Sequence, residues 1–578
     1  MAHSYNGFLQ HMQDCLRVCK VVQDSLIPRT GYRAVAWAGQ ACESAGVWIS
    51  PDGRLSAVNR GPAIAGTEGD CLLWDFSRGS EIAWLKGFWA QFSADSRTLF
   101  TFARYDDNRV QSYDVSEEAL ANPPASWHEG TLVYRGRARE KVNTGALAAD
   151  GRTLVIAATD SVIFLDTLGQ RPAQHWGKSA HILNLSHDGR WIATMLHHHM
   201  TVIWSTDDGR ATFRAEPYSS IEFSPDNRSF SVATRSEVQI YALDSMRLAY
   251  APIPLEVRGS APPVAFSRDG RMFVVALERT NPRLFETASG RELAMLSPPH
   301  PAPIIGIEAL KFSADGKWLL AAKTDDETVA WSISVIRGEL AKLNLDWSYS
   351  SGTEGASPKE SRTPKAVDFS GLFARPPRDP ATPPRLIDLS RHYNALLTEH
   401  WHEGEGSSDL SELPHGVQTL AGVPFDLRGL IQVGAHSRRG EPYPREVAGV
   451  AVGLASERLH FLHAAIFAFD PPGTQIGNYV VRYAEGQTHE IPIVIGRDLA
   501  DWWSQDVEDL TQMQIAWSGQ NESSRVAGRT IRLFKTTWEN PRPAEVIQSL
   551  DFVTTNPRAC PFLVAVTADE YPPAVKPR

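Results

Sequence analysis

The sequence is poor in cysteine, has no excess of basic residues and contains no long apolar run. Its few cysteines are scattered and form no Cys-x-x-Cys pair: Cys15, Cys19, Cys42, Cys71 and Cys560. A disulfide framework or a cysteine-based metal site is therefore not predicted. The formal net charge of −10 argues against nucleic-acid binding, which needs clustered lysine and arginine. Because no apolar window of about eighteen residues occurs, we predict no membrane span.

Familiar catalytic motifs are absent as well. The sequence has no glycine-rich phosphate loop, no His-Arg-Asp or Asp-Phe-Gly kinase motif, no Gly-x-Ser-x-Gly and no His-Glu-x-x-His. We therefore predict a protein without catalytic activity, cofactor or metal. The first residues, Met-Ala-His-Ser-Tyr-Asn-Gly, lack the basic and apolar regions of a secretory signal. This start predicts a cytoplasmic protein, unless a targeting segment has been lost upstream.

One phrase is repeated along the first half of the chain. Its clearest copies are residues 221–228 (Ile-Glu-Phe-Ser-Pro-Asp-Asn-Arg), 264–271 and 310–317. Each copy indicates an apolar strand, a serine, a tight Asp-Gly or Asp-Asn turn and a second strand, because these dipeptides suit the left-handed φ that such a turn requires. The turn aspartates, for which we predict a structural role, are Asp52, Asp95, Asp150, Asp188, Asp226, Asp269 and Asp315.

The seven turns follow one another at intervals of roughly forty residues, and strand–turn–strand units with this period are typical of a β-propeller. Seven copies predict seven blades. Each turn is followed by an apolar strand and then by a third strand that ends on a bulky residue, as in Leu73-Trp74-Asp75 and Ile203-Trp204-Ser205.

These residues resemble the WD40 repeat family over roughly residues 32–346. The sequence departs from the family pattern because it lacks the Gly-His dipeptide before each first strand, and only Trp74-Asp75 is a literal Trp-Asp pair. In this it is similar to divergent bacterial WD40-like arrays, which are attached to serine/threonine kinases or to periplasmic and cell-surface modules. The resemblance implies a propeller whose rigid loop face binds a protein partner.

Two segments flank the repeats. Apolar residues recur at helical spacing from Phe8 to Leu26 and Pro28 follows, which predicts an N-terminal amphipathic helix within residues 1–31. Residues 347–385 are rich in Pro, Ser, Gly and charge, and we predict a linker there. Because a propeller must leave no sheet edge open, we expect the strand at residues 32–39 to pair with the last blade.

Residues 386–578 have the pattern of a second all-β domain. Eight strand segments between Phe425 and Val566, most of them separated by Gly or Pro turns, predict an antiparallel β-sandwich. Phrases such as Ile387-Asp388-Leu389-Ser390 and Phe425-Asp426-Leu427-Arg428-Gly429 look like a galactose-binding-like sandwich. That resemblance implies ligand binding without catalysis, with carbohydrate as the commonest ligand of the fold.

A group of tryptophans and polar residues is the best candidate for ligand binding in this domain. Sugar rings stack on tryptophan through their C–H faces, and their hydroxyls need carboxylate, amide and guanidinium partners. The candidates are Arg497, Asp498, Asp501, Trp502, Trp503, Trp538, Glu539 and Asn540. The alternative is that the tryptophans, including Trp517, fill the core of the sandwich while the polar residues tie loops together.

Two groups of histidines could suggest a metal site. His197, His198 and His199 are consecutive, and because neighbours on a strand point to opposite faces they cannot all reach one ion; a solvated turn is predicted. His400 and His402 would share one face of a strand, but no third ligand accompanies them. We predict a structural role for this pair.

We therefore predict an all-β, non-enzymatic binding or scaffold protein with a short N-terminal helix. In this interpretation the seven-bladed propeller presents a protein-interaction surface and the sandwich binds a ligand, carbohydrate being the first candidate. The resemblance implies a sensor or scaffold arm of bacterial serine/threonine-kinase signalling. The alternative is a carbohydrate-recognition protein of the cell envelope, in which the sandwich is the functional module and the propeller supports it.

Overall fold

The structure, a computed structural model, divides into two compact units, residues 1–206 with 212–368 and residues 207–211 with 369–578. It describes residues 32–35, 47–347 and 369–571 except 61–69, 76–79, 88, 103–107, 124–126, 128–129, 137–139, 160, 196–199, 256–259, 278–280, 297–305, 314–315, 324–327, 343–345, 402–407, 435–436, 439–440, 506–512 and 570. The helix predicted within residues 1–31, the turn residue Asp315 and the run His197–His199 lie outside the described residues.

The described part of the first unit contains seven antiparallel sheets. The strands are β1 (Tyr32–Val35), β2–β5 (Val47–Ile49, Leu55–Arg60, Asp70–Asp75, Ser80–Lys86), β6–β9 (Trp89–Phe92, Thr98–Phe102, Arg109–Asp114, Thr131–Arg135), β10–β13 (Val142–Leu147, Thr153–Ala158, Val162–Asp166, Gln174–Trp176), β14–β17 (Ile182–Leu185, Trp191–Met195, Met200–Ser205, Ala211–Pro217), β18–β22 (Ser220–Phe223, Ser229–Ala233, Glu237–Ala242, Arg247–Leu248, Ile253–Pro254), β23–β26 (Val264–Phe266, Met272–Val275, Arg283–Glu286, Glu292–Met295) and β27–β29 (Ile307–Phe312, Trp318–Lys323, Thr328–Ser332). Two helices accompany them, α1 (Glu117–Ala121) and α2 (Ile333–Lys342).

Successive sheets of the first unit touch through their first strands. β2 contacts β6, β6 contacts β10, and the same relation continues through β14, β18, β23 and β27, which in turn contacts β2. The second and third strands are covered by neighbouring sheets, so that every residue of β11 and β12 is buried. Strands covered on both faces carry continuous apolar runs rather than alternation, which is the pattern of the Leu154–Ala158 segment.

The seventh sheet combines strands from the two ends of the repeats. β1 pairs antiparallel with β29, so that Tyr32 lies opposite Trp331 and Val35 opposite Thr328. The pairing expected for a strand at residues 32–39 is therefore present over its first four residues. It covers the edge that β29 would otherwise expose.

The described part of the second unit contains two larger antiparallel sheets, with strand orders β32-β42-β36-β40-β39 and β35-β41-β37-β38, and two hairpins, β30-β31 and β33-β34. The strands are β30 (Gly416–Leu420), β31 (Val423–Leu427), β32 (Ile431–Gln432), β33 (Ser437–Arg438), β34 (Glu441–Pro442), β35 (Glu446–Ala455), β36 (Arg458–Ile466), β37 (Gln475–Tyr483), β38 (Thr488–Val494), β39 (Met513–Gly519), β40 (Ile531–Glu539), β41 (Val546–Thr554) and β42 (Cys560–Ala568). A short helix, α3, spans Glu522–Val526, and a 3-10 turn spans Ser370–Leu372.

Side chains of both larger sheets meet in one hydrophobic cluster. Phe461 of β36 stacks on Tyr479 of β37 with ring centroids 4.1 Å apart, and Tyr479 lies 5.0 Å from Phe552 of β41. Seven of the eight strand segments predicted between Phe425 and Val566 are present as single strands, and the first, residues 425–433, is divided between β31 and β32, which belong to different sheets. The prediction missed the short strands β30, β33 and β34. It also missed β39, whose alternation is interrupted by a register shift opposite β40.

Residues 369–385, which the composition assigns to a linker, are counted with the second unit. Phe369 and Leu372 are buried, and the Arg375 guanidinium donates to the carbonyl of Ser390 at 2.9 Å. The remainder of the predicted linker lies almost wholly outside the described residues. Within the described residues, no helix has the length and apolar character needed to span a membrane.

Deleting residues 1–40 removes β1, whereas deleting residues 1–31 retains it. We expect the longer deletion to lower the melting temperature of the first unit by a few degrees, because β29 loses its paired edge and each kcal/mol corresponds to roughly 1–2 °C in a unit of this size. Scanning calorimetry of both deletions and the full chain measures this. Equal melting temperatures for the two deletions would contradict a closing role for β1.

Candidate functional site

The repeated phrase folds into a turn with the same hydrogen bonds in each described copy that contains a serine. In one copy, Ser224 Oγ donates to Asp226 Oδ1 at 2.6 Å and accepts from the backbone N–H of Ser229 at 2.9 Å. The same carboxylate accepts from the Arg228 N–H at 3.1 Å. The serine-to-aspartate bond recurs in four other copies, at Ser50, Ser93, Ser186 and Ser267. These bonds hold the chain reversal rigidly.

Neighbouring turns also contact one another. The Asp52 N–H donates to Ser96 Oγ at 3.0 Å, and the Asp188 N–H donates to Asn227 Oδ1 at 3.0 Å. A Cβ atom on Gly270, whose φ is +68°, would lie 2.4 Å from the carboxylate carbon of Asp226. We refer to the surface formed by residues 50–55, 93–98, 148–153, 186–191, 224–229 and 267–272 as the turn surface.

Every copy of the phrase carries a basic residue two positions after the aspartate: Arg54, Arg97, Arg152, Arg190, Arg228, Arg271 and Lys317. Five of these side chains, Arg97, Arg190, Arg228, Arg271 and Lys317, are exposed. Arg152 instead binds the buried Asp166 with a 2.7 Å ion pair, which holds the pKa of that carboxyl well below its usual range. The motif analysis missed this set, although its constant position in the repeat was visible in the sequence.

A polar cluster lies where the first strands meet. Lys311 of β27 forms a 2.9 Å ion pair with Glu222 of β18, and the Asn184 amide of β14 donates to the same carboxylate at 3.2 Å. All three residues stand two positions before the serine of their copy. Among the described residues no group of three His, Cys, Asp or Glu side chains is placed to hold a metal ion.

The eight residues predicted to bind a ligand fall into two groups, residues 497–503 and residues 538–540. Trp502 is only 2% exposed, and its ring lies 5.2 Å from that of the fully buried Trp401. A ring enclosed in the core has no face to offer a sugar, so Trp502 as placed is a packing residue. Trp503 and Trp538 are half-buried, and Glu539 is exposed.

The carboxylates of the first group bond within the protein. Asp498 accepts from the Val494 N–H at 2.8 Å and pairs with Arg497 at 2.7 Å. Asp501 accepts from the N–H groups of Ala468 and Trp503 at 3.0 and 2.9 Å. Burial raises the pKa of the Asp501 carboxyl. These contacts fit the alternative in which the polar residues tie loops together.

Asn540, in the second group, is also buried. Its amide donates to the Ser456 carbonyl at 2.8 Å, and its oxygen accepts from the Tyr483 hydroxyl at 2.5 Å and the Arg542 N–H at 2.9 Å. The side chain thereby connects β37 to the chain between β35 and β36 and to the residues that follow β40. Carbohydrate binding by the eight residues stays a prediction.

Residues 388–390 and 426–428, from two of the phrases that resemble a galactose-binding-like sandwich, form an ion cluster around a buried arginine. The Arg428 guanidinium is 4% exposed and donates to Asp426 at 3.0 Å, to Asp388 at 2.7 Å and to Ser390 Oγ at 2.7 Å. A buried guanidinium needs this many acceptors to offset its desolvation. The cluster fastens residues 388–390 to the end of β31 and its role is structural.

His463 lies at the centre of the second unit and is enclosed on all sides. Its Nε2 faces the Asp498 carbonyl at 3.2 Å and Thr536 Oγ1 at 3.1 Å, and its Nδ1 lies 2.9 Å from the Tyr479 hydroxyl. Because a carbonyl oxygen can only accept, Nε2 carries the proton and Nδ1 accepts from Tyr479. Burial lowers the pKa of this imidazole to about 4.

Comparison with known proteins gives one partial relative. No family model matches the chain. A segment of 66 residues, 11% of the chain, is 38% identical to pre-mRNA-processing factor 19 of Schizosaccharomyces pombe and covers 13% of that protein. The similarity to this WD40-repeat protein and the all-strand sheets of the first unit fit a WD40-like β-propeller.

The contact between neighbouring turns can be isolated with two glycine substitutions. Gly53 and Gly270 both have a φ near +70°, but a Cβ atom would meet open space at Gly53 and the Asp226 carboxylate at Gly270. We expect Gly53→Ala to cost roughly 1–2 kcal/mol of unfolding free energy from the left-handed conformation alone. Gly270→Ala should cost at least about 1 kcal/mol more, because Asp226 must give up its turn bonds. Equal losses of unfolding free energy for the two variants in calorimetry would show that the contact between neighbouring turns adds no stability.

His463 should make the second unit sensitive to mild acid. The pKa of the His463 imidazole is about 4 in the folded protein and about 6.5 in the unfolded chain. The contribution of this residue to the unfolding free energy is therefore complete above pH 6.5 and is lost as the pH falls toward 4. The loss reaches about 3 kcal/mol. We expect His463→Gln to flatten the decline in melting temperature between pH 7 and pH 4.5, with His392→Gln as the control. Parallel declines in the wild type and the His463 variant would contradict this.

Proposed function

We propose that this chain is a non-enzymatic protein-interaction scaffold, built from a seven-bladed WD40-like β-propeller and a C-terminal two-sheet β-sandwich. The order of contacts among the first strands of the seven sheets, which returns from β27 to β2, supports the propeller. The cluster shared by the two larger sheets of the second unit supports the sandwich. The partial WD40-repeat relative supports binding of protein partners.

The observation that carries this proposal is the turn surface. Each turn is held by its serine–aspartate bonds, and contacts such as those of Asn227 and Gly270 join one turn to the next. A surface with its backbone already fixed loses little conformational entropy when a partner binds. The exposed side chains Arg190, Arg228 and Arg271 come from three consecutive copies, and they would select a partner with an acidic surface.

The narrower predictions have no comparable support. A role beside bacterial serine/threonine kinases, a cytoplasmic location and carbohydrate binding by the second unit stay predictions. For the carbohydrate alternative, the burial of Trp502 removes one of the three tryptophans predicted to stack on a sugar. Protein binding is therefore the function that the geometry favours.

Partner capture by charge-reversal variants tests this proposal. The full chain is immobilised and incubated with native extract, and bound proteins are quantified by mass spectrometry. We expect Arg190→Glu, Arg228→Glu and Arg271→Glu together to reduce capture of the specific partners at least tenfold, because several favourable charge pairs become repulsive.

The matched control carries the same change in charge at exposed arginines that are not part of the turn surface: Arg247→Glu, Arg391→Glu and Arg558→Glu. Its capture should equal that of the wild type. Undiminished capture by the turn-surface variant would refute the proposal. An equal loss of capture by the control variant would show that the change in net charge alone causes the effect.

A further inference from the structure

Strand β35 forms one edge of its sheet in the second unit. It spans Glu446–Ala455 and, with ten residues, is the longest strand in the described part of the chain. Among the strands that the structure describes, only β41 pairs with it. The backbone N–H and C=O groups that point away from β41 therefore face no described strand. An edge of this kind is a template for pairing with another chain.

The side chains of β35 do little to prevent such pairing. Proteins commonly protect an exposed edge with charged residues, especially lysine, or with proline. β35 contains neither lysine nor proline, and its single charged residue, Glu446, is the first of the strand. The opposite edge of the same sheet, β38, carries the exposed Glu490 and also Pro492, which has no N–H to offer. The sheet is thus protected at one edge and open at the other.

The sequence of β35 reads nearly the same in both directions from Ala451. Val450 and Val452 flank it directly, and Gly449 and Gly453 follow on the two sides. The positions beyond them, as far as residues 447 and 455, carry only alanine, valine and leucine. Two such strands paired antiparallel about Ala451 therefore bring together only aliphatic residues and glycine. No like charges, which would destabilise the pair, stand opposite each other.

The two glycines also bulge the strand at matching positions. Gly449 has a φ of +77° and Gly453 a φ of +71°, and the register with β41 shifts beside each of them. The Gly449 N–H donates at 2.8 Å to Asp551, a carboxylate that is 1% exposed and pairs with Arg482. Bulges bend an edge strand and increase its twist. A regular strand does not follow such an edge, whereas a second copy carries its own bulges at the same distances from Ala451.

We propose that two copies of this chain associate through β35, with the two strands paired antiparallel about a two-fold axis at Ala451. The pairing joins two four-stranded sheets into one sheet of eight strands. Val450 of each copy lies opposite Val452 of the other copy. Both valines already contact the core of their own sandwich, so the pairing extends the two cores toward each other.

The arrangement closes as a dimer. The inner edge of β35 is occupied by β41, and the outer edge is used once, by the same strand of the second copy. An interface that uses the same surface patch on both subunits cannot continue into a fibre. The dimer carries two first units, so a partner with repeated binding sites gains avidity. The association does not depend on the function proposed for the turn surface.

The oligomeric state of the full chain tests this proposal. Sedimentation velocity at concentrations up to ~100 μM populates complexes with micromolar Kd. We expect a monomer–dimer equilibrium with no larger species. Ala451→Lys and Ala451→Glu, changes at an exposed position, should each weaken association at least tenfold, because two like charges then stand directly opposite each other.

Mixing the two variants separates repulsion across the two-fold axis from a defect in folding. A lysine in one copy would face a glutamate in the other, so the mixture should recover association as heterodimers. A folding defect in either variant would not be repaired by mixing. The matched control is Ala484→Lys, at an exposed alanine in the turn between β37 and β38, which should associate like the wild type.

Hydrogen exchange supplies a measurement that needs no variant. In the wild type, exchange of the amides of residues 446–455 should slow as the concentration rises through the Kd, whereas exchange in residues 488–494 should not change. A wild type that stays monomeric throughout, an Ala451→Lys variant that associates like the wild type, or a mixture that fails to recover association would overturn the proposal. Species that grow beyond the dimer would overturn the two-fold arrangement.

Discussion

The first unit depends on the pairing of β1 with β29. An array of antiparallel sheets that contact one another in series has two ends, and each end would expose unpaired N–H and C=O groups. Placing Tyr32–Val35 against Thr328–Ser332 joins these ends in one sheet. The loop-closure entropy of joining distant segments rises only slowly with their separation, so a few paired residues suffice to close a long array. The other sheets are built from strands that are consecutive in the chain.

Closure brings the turns together and gives the repeated phrase a second role. Within one copy, the serine and aspartate replace backbone partners that a tight reversal leaves unsatisfied. Between copies, the residue at the left-handed position faces the preceding turn: the Asn227 side chain accepts from the Asp188 N–H, and Gly270 leaves room for the Asp226 carboxylate. The same side chains therefore stabilise the turn and align its neighbour, and the basic residue that follows them is held at a regular position.

The second unit uses its polar residues differently. His463, Asp498, Asp501 and Asn540 are buried and bonded to backbone groups of neighbouring loops and strands, which avoids the cost of unsatisfied polar groups in a core. In a sequence, a group of tryptophan, carboxylate and amide residues is as typical of a sugar-binding site as of a hydrogen-bonded core. Whether a ring is exposed decides between them, and exposure depends on what packs over it.

Local pattern was enough to predict the almost all-strand character, the repeated turns that the structure describes, seven of the eight strand segments after Phe425 and the segment that pairs with β29. Each of these depends on side-chain alternation or on a turn dipeptide, which neighbouring residues encode. Only the tertiary structure decided that Trp502 is enclosed, that Lys311 reaches Glu222 and that Arg109 stands opposite Arg135. These relations arise from strand register and from packing between distant segments, and a one-residue change of register would exchange the faces of a strand without changing its composition.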